Sequence, residues 1–166
     1  MKLLIFTEGT ILMHKNAAGH TREEIIQQVK SKESSVHDFN SYIPIGKAPE
    51  KLWNWKKNRV EIIYLTSRRT TEQIKAIQNV LDKYHFPKGK LVFRKENEEY
   101  KDVVERVVPN VLIDDDCESI GGTGEMTMTF VKTQLKKKIK SITVKEFMGI
   151  DEVELDEKAL AKMLIE

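Results

Sequence analysis

The sequence predicts an α/β domain built on a mainly parallel sheet, and three features of the chain lead there. Short apolar strands alternate with segments of helical periodicity. The first strand is apolar at consecutive positions rather than every second one, as strands covered on both faces are. Polar clusters follow the strands at their carboxyl ends, where loops and helix N-termini converge in such sheets.

The first strand runs from Leu3 to Phe6 and stops at the polar turn Thr7-Glu8-Gly9-Thr10. Between Ile11 and Lys57 the pattern changes, and this stretch reads as a small cap or elaborated insert within one domain spanning residues 1–166. Thr21-Arg22-Glu23-Glu24 reads as a tight capping box leading a short helix with Ile25, Ile26 and Val29 on its apolar side. Ser31 to Ser41 reads as loop, and Pro44, Gly46 and Pro49 lead into a helix carrying Leu52, Trp53 and Trp55. Trp53 and Trp55 stand two residues apart and cannot share a helix face, so one is expected to pack while the other is exposed.

The run VEIIYL from Val60 to Leu65 is β-branched and aromatic, and it ends at Thr66-Ser67-Arg68. The helix after it carries Ile74, Ile77, Val80, Leu81 and Tyr84 at helical spacing. The unit repeats with a strand at Leu91–Phe93, a helix from Tyr100 to Val108 stopped by Pro109, and a strand at Val111–Ile113. A glycine-rich turn at Gly121, Gly122 and Gly124, a basic segment around Lys136, a strand from Ile142 to Val144 and a helix from Asp156 to Leu164 complete the reading.

Composition excludes several classes of function. The chain has 166 residues, 40% hydrophobic and 33% charged, enough for a core without disulfides or a structural metal. Cys117 is the single cysteine, and His14, His20, His37 and His85 lack the spacing of a metal cluster. No apolar run approaches the roughly 18 residues of a membrane span, and Glu8 interrupts the first apolar run too early for a signal peptide. A soluble protein in a reducing, cytoplasmic setting is expected. With 28 Lys+Arg against 26 Asp+Glu, charge-driven nucleic-acid or membrane binding is not indicated.

Three clusters could carry chemistry. Thr7-Glu8-Gly9-Thr10 combines a tight turn with hydroxyls and a carboxylate that could face an ion or phosphate. Thr66-Ser67-Arg68-Arg69 precedes a helix whose free N–H groups favour an anion. Asp114-Asp115-Asp116 gathers carboxylates that repel unless solvated or neutralised, and a hard cation such as Mg²⁺ is the usual neutraliser. Taken alone, the second reads as a helix N-cap and the third as acids favouring a helix N-terminus. Their combination in one sheet points to a site.

In order and strand context these motifs resemble those of the haloacid dehalogenase superfamily of phosphohydrolases. LLIFTEGTIL resembles its first motif, IIYLTSR its second, Lys101 in EEYKDVVERVVPNVLIDDD its third and VLIDDDCESIGG its fourth, covering Lys2 to Gly122. The resemblance implies a Rossmann-like three-layer α/β/α fold with the first strand central. It assigns phosphate binding to Thr66, with Ser67, Arg68 and Lys101 beside it. Lys101 would neutralise charge on the phosphoryl group and on the nucleophile. Asp114 and Asp115, with Glu8, would hold Mg²⁺, and Glu8 takes the general acid/base position. The nucleophile position falls on Phe6, which cannot form an aspartyl-phosphate. Shifting the frame by one residue puts Thr7 there and Gly9 at the acid/base position, so either frame lacks the aspartate.

The first functional expectation is therefore a Mg²⁺ and phosphate pocket without its nucleophile. It would serve as a binding or regulatory module for phosphate or a phosphorylated small molecule, or as a weak, non-classical phosphohydrolase. The alternatives are an active phosphatase on a small phosphorylated metabolite or nucleotide, and a non-catalytic interaction protein using Lys132, Lys136, Lys137, Lys138, Lys140 and Lys145. A solvated face is the simpler account of those lysines. The histidines of the insert, His14, His20 and His37, are expected in exposed loops. Cys117, following three aspartates, is expected to stay a thiol.

Overall fold

The computed structural model describes residues 1–155, so the helix expected at Asp156–Leu164 lies outside the described residues. The sheet is formed by β1 (Lys2–Phe6), β4 (Glu61–Leu65), β5 (Lys90–Val92), β6 (Val111–Asp115) and β7 (Lys140–Val144). Their order is β5-β4-β1-β6-β7, and every neighbouring pair is parallel. Central β1 pairs Leu3 to Phe6 with Ile62 to Leu65 on one side and Leu3 to Ile5 with Val111 to Ile113 on the other.

Alternation along the strands divides the core between two faces. Leu3, Ile5, Ile62, Tyr64, Val111 and Ile113 point to the face covered by α2 (Ala48–Lys57) and α3 (Thr71–Lys83), through Leu52, Trp55, Ile77, Val80 and Leu81. Leu4, Ile63, Leu65 and Leu112 meet Val103 and Val104 of α4 (Tyr100–Val107) on the opposite face, with Val131 and Ile139 beyond. This is the three-layer α/β/α arrangement, and it explains why the strands are apolar throughout. Among the described residues no helix is long and apolar enough to cross a membrane.

The insert is more ordered than its polar composition suggested. A short antiparallel pair, β2 (Leu12–Met13) with β3 (Ile43–Pro44), ties its two ends together. Helix α1 (Arg22–Lys30) begins on a capping box of ordinary spacing: the Thr21 hydroxyl accepts the Glu24 N–H, and the Glu24 carboxylate accepts the Thr21 N–H. Ile25 and Ile26 of α1 form a small cluster with Ala17, Ile45 and Phe147, apart from the main core. The stretch read as loop contains single helical turns at Ser34–His37 and Phe39–Ser41, and Phe39 is buried.

Other expectations need adjustment. Trp55 packs in the core, while Trp53 is exposed and donates its indole N–H to His85 O. His14 is buried rather than exposed, with Nε2 at 2.9 Å from Gln28 Oε1. β6 continues through Asp114 and Asp115 instead of stopping at Ile113, because both carboxylates find buried donors. Of the lysine-rich stretch, Thr133–Lys136 forms a short helix α5, and Lys132 pairs with Glu105 at 2.9 Å.

Helix α4 ends on Val108 in the left-handed conformation (φ 47°, ψ 66°), its N–H donating to Val104 O at 2.8 Å. A β-branched residue is strained there, and Val108 is half-exposed, so its side chain gains little in return. Val108→Gly is expected to raise stability by about 0.5–1 kcal/mol in urea unfolding. An unchanged or lower midpoint would contradict this helix ending.

Candidate functional site

The strand order spreads opposite charges along the carboxyl edge of the sheet. Arg94 follows β5 and Thr66-Ser67-Arg68 follows β4, whereas Asp114-Asp115-Asp116 closes β6 and Glu146 follows β7. Phe6 and Glu8, at the end of β1, stand between the cationic and the acidic sides.

Glu8 joins the first two sequence clusters. Its carboxylate accepts hydrogen bonds from the Thr66 hydroxyl (2.5 Å) and the Ser67 N–H (3.2 Å), with Arg68 Nε at 3.4 Å. The Thr7 hydroxyl, fully buried, lies 2.6 Å from Glu8 Oε2 and 3.1 Å from Leu65 O, so it turns away from a nucleophilic role. Thr66 Oγ1 also accepts the Arg68 N–H (3.1 Å). Three of the groups assigned to a phosphoryl ligand thus face a carboxylate of the protein itself. Aspartate, one methylene shorter, has less reach toward the end of β4.

Phe6 turns its ring edge-to-face against Tyr100, with centroids 5.5 Å apart. The Arg94 guanidinium lies over the Tyr100 ring at 4.1 Å, and Arg68 lies over Phe39 at 4.3 Å. Burial pushes the Tyr100 hydroxyl up to about 12, so it stays a neutral phenol near neutral pH.

The acidic side is buried. Asp114 accepts the N–H groups of Asp115 and Thr127, both within 2.9 Å. Asp115 accepts the Cys117 N–H (2.9 Å) and the Thr10 hydroxyl (2.8 Å). Gly9, at φ +84°, is required here because a Cβ would stand 2.9 Å from Asp115 Oδ2. Glu146 accepts the Ser119 N–H (2.7 Å) and hydroxyl (2.6 Å). Arg22, from α1 of the insert, pairs with Asp116 (3.1 Å) and Glu118 (2.6 Å) and donates to Glu146 O.

Burial raises Asp115 to about 6, with the charge of Asp114 adding to the effect, and burial likewise raises Asp114 and Glu146. Cys117 is raised by burial and then by Asp115 and Asp114, so it remains a thiol. Among the described residues two groups bring potential ligand atoms within 4.8 Å of one another: Asp114, Asp115 and Cys117, and Asp115, Asp116 and Glu146. The second, all carboxylate oxygens, suits a hard divalent cation, whereas a protonated thiol does not. Glu8 is in neither group.

A cavity of about 460 Å³ opens over this edge, lined among others by Phe6, Glu8, Phe39, Tyr42, Arg68, Arg94, Tyr100, Asp115 and Glu146. Its walls also include His14 and His37 from the insert. Lys101 lines a separate cavity of about 190 Å³, which shares Arg94, Tyr100 and Glu125 with the larger one, and its Nζ stands 3.6 Å from Glu99. Sequence reasoning missed Arg22, Arg94 and Glu146. The last two follow strands, the signal used for the other clusters, but Phe93-Arg94-Lys95 and Lys145-Glu146 look like ordinary surface sequence.

The raised Asp115 pKa has a consequence for stability. The native state holds this proton more tightly than the unfolded chain, so stability is greatest below the ordinary value of 3.8 and falls as pH rises toward about 6. In metal-free protein the Asp115 contribution is expected to decline by about 3 kcal/mol over that interval, and Asp115→Asn should abolish it. Urea unfolding at pH 4.5 and pH 7 checks this, reading about 2 kcal/mol of that decline. An equal pH dependence in both proteins would contradict it.

No family model matches the sequence, and no curated protein matches it. Among solved structures, the chain is similar to the class C acid phosphatase from Bacillus anthracis with tungstate bound, at 14% identity and a TM-score of 0.54, covering 99% of this chain and 77% of that one. Another structure of the class C acid phosphatase from Bacillus anthracis gives 16% identity, the same coverage and a TM-score of 0.54. A chain of the Pnkp1/Rnl/Hen1 complex gives 13% identity and a TM-score of 0.54 over 87% of this chain and 46% of that one. Likeness at this level of identity speaks to the fold. The parallel sheet, its helical layers and these neighbours together show that the chain has the α/β/α fold of the haloacid dehalogenase superfamily.

Proposed function

We propose that this protein binds a phosphorylated small molecule, with Mg²⁺, in the cavity over β1 and forms no aspartyl-phosphate. The observation that carries the reading is Phe6 at the carboxyl end of the central strand, packed against Tyr100 where the resemblance calls for a nucleophilic carboxylate. The phosphatase fold and the acidic group beside the cavity support phosphoryl and cation binding, and the similar acid phosphatase carries tungstate, an oxyanion. Asp115 belongs both to the pair assigned by the resemblance and to the all-oxygen group with Asp116 and Glu146. Mg²⁺ held there would supply positive charge beside the phosphoryl oxygens.

Thr66, Ser67 and Arg68 are the proposed phosphoryl donors on the cationic side. Because Glu8 uses them first, a phosphoryl group must exchange with its carboxylate. The Glu8 carboxylate is engaged by Thr66, Ser67 and Arg68, so it is not free to take a proton from an attacking water. Lys101, which lines the smaller cavity beside Arg94 and Tyr100, is the proposed further positive charge.

Two outcomes are expected. Wild-type protein should show negligible Mg²⁺-dependent turnover of p-nitrophenyl phosphate, and Phe6→Asp should raise it on the order of a hundredfold. Wild-type turnover matching that of Phe6→Asp would overturn the non-covalent reading. Calorimetric titration with tungstate should show Glu8→Gln binding about tenfold tighter than wild type, because the competing charge is gone. Unchanged or weaker binding would remove Thr66, Ser67 and Arg68 as the anion donors.

A further inference from the structure

The cavity over β1 is far larger than a phosphoryl group. Its volume of about 460 Å³ falls within the roughly 300–1,000 Å³ of pockets that enclose whole small molecules. The groups assigned to the phosphoryl group and its cation take up one part of the wall, through Ser67, Arg68, Asp115 and Glu146. The insert supplies another part, and its side chains there are mostly apolar: Leu12, Met13, Val29, Val36, Phe39 and Tyr42. The stack of Arg68 on Phe39, at 4.3 Å, joins the two parts.

Polar groups on the insert's wall are already engaged. The Tyr42 hydroxyl donates to Val36 O at 2.6 Å. Buried His14 has Nε2 at 2.9 Å from Gln28 Oε1, and the Gln28 amide is oriented by donating to Asn16 O at 3.0 Å. Lys32 and His37, the insert's remaining polar lining residues, are exposed and stand toward solvent. Met13, Val29 and Val36 are half-buried, and Val36 packs in none of the core clusters. Apolar side chains that keep free surface on a cavity favour an apolar partner there. A sugar or a nucleoside would bring hydroxyls and ring nitrogens that this wall leaves unpaired, which costs their desolvation.

We infer that the ligand carries its phosphoryl group on an aromatic, largely apolar body, an aryl phosphomonoester rather than a sugar phosphate or a nucleotide, and that the insert selects it. The inference rests on the phosphoryl binding proposed above, and it names the class of molecule. Phe39 and Tyr42 form a tilted ring pair with centroids 5.5 Å apart, and His37 stands edge-on to Phe39 at 6.4 Å. A further ring joins such a cluster edge-to-face or offset, adding to the area it buries. Phe6 and Tyr100 bring two more rings to the same lining.

The test is calorimetric titration in the presence of Mg²⁺ with inorganic phosphate, naphthyl phosphate, glycerol phosphate and adenosine monophosphate. Wild-type protein should bind naphthyl phosphate about tenfold or more tightly than each of the other three, and tungstate should displace it. Val36→Thr and Met13→Gln keep the size of the side chain while placing polar atoms on the insert's wall. Each should weaken naphthyl phosphate about fivefold and leave inorganic phosphate unchanged, with folding checked by thermal melting. Any of the other three probes bound as tightly as naphthyl phosphate would overturn the aromatic body and leave the proposed function standing. Naphthyl phosphate affinity unaltered in both variants, or no displacement by tungstate, would also overturn it. Absence of binding by all four probes and by tungstate would overturn both.

Discussion

The Glu8 carboxylate is the interaction on which the site depends. It spans the gap between the ends of β1 and β4, meeting the Thr66 hydroxyl, the Ser67 N–H and the Arg68 side chain, with the Thr7 hydroxyl against it from its own strand. A partly buried anion is stabilised by several donors or a counter-charge, and Glu8 has both. The same contacts orient Arg68 over Phe39 and so shape the cavity wall facing the insert. The protein's own carboxylate thus stands in for a ligand, and any ligand anion at these donors competes with it.

The parallel topology turns this local contact into a polarised site. Because β1 is central, its end separates cations contributed after β4 and β5 from acids contributed after β6 and β7. Each side is supported in its own way. On the acidic side, backbone N–H groups and hydroxyls surround Asp114, Asp115 and Glu146, and Arg22 adds a positive charge from the insert. On the cationic side, Arg68 and Arg94 rest on aromatic rings, which hold a guanidinium without neutralising it. The proposed ligand, a phosphoryl group with a cation, has the same polarity.

Much of the fold was legible because the physics is local. Strands with continuous apolar residues, such as Leu3–Ile5 and Ile62–Leu65, require cover on both faces, and the helical spacing of Ile77, Val80 and Leu81 supplies one of those layers. The convergence of Glu8 with Thr66-Ser67-Arg68 was legible for a similar reason, since both clusters end neighbouring strands. Less accessible were features that depend on partners far along the chain. His14 is buried because α1 folds back to offer Gln28, and Asp114 and Asp115 remain in the strand because Thr127 and Thr10 reach them. Arg94 and Glu146 gained their places from β5 and β7, whose flanking residues carry no special local pattern.

A crystal structure of the protein with tungstate and Mg²⁺ tests the central claim most directly, because the heavy anion is located by its anomalous scattering. The account predicts a tungstate peak in contact with the Thr66 hydroxyl, the Ser67 N–H and Arg68, with Glu8 displaced from them and the Phe6 ring facing the anion without a bond to it. A peak elsewhere, with Glu8 still holding those donors, would contradict it.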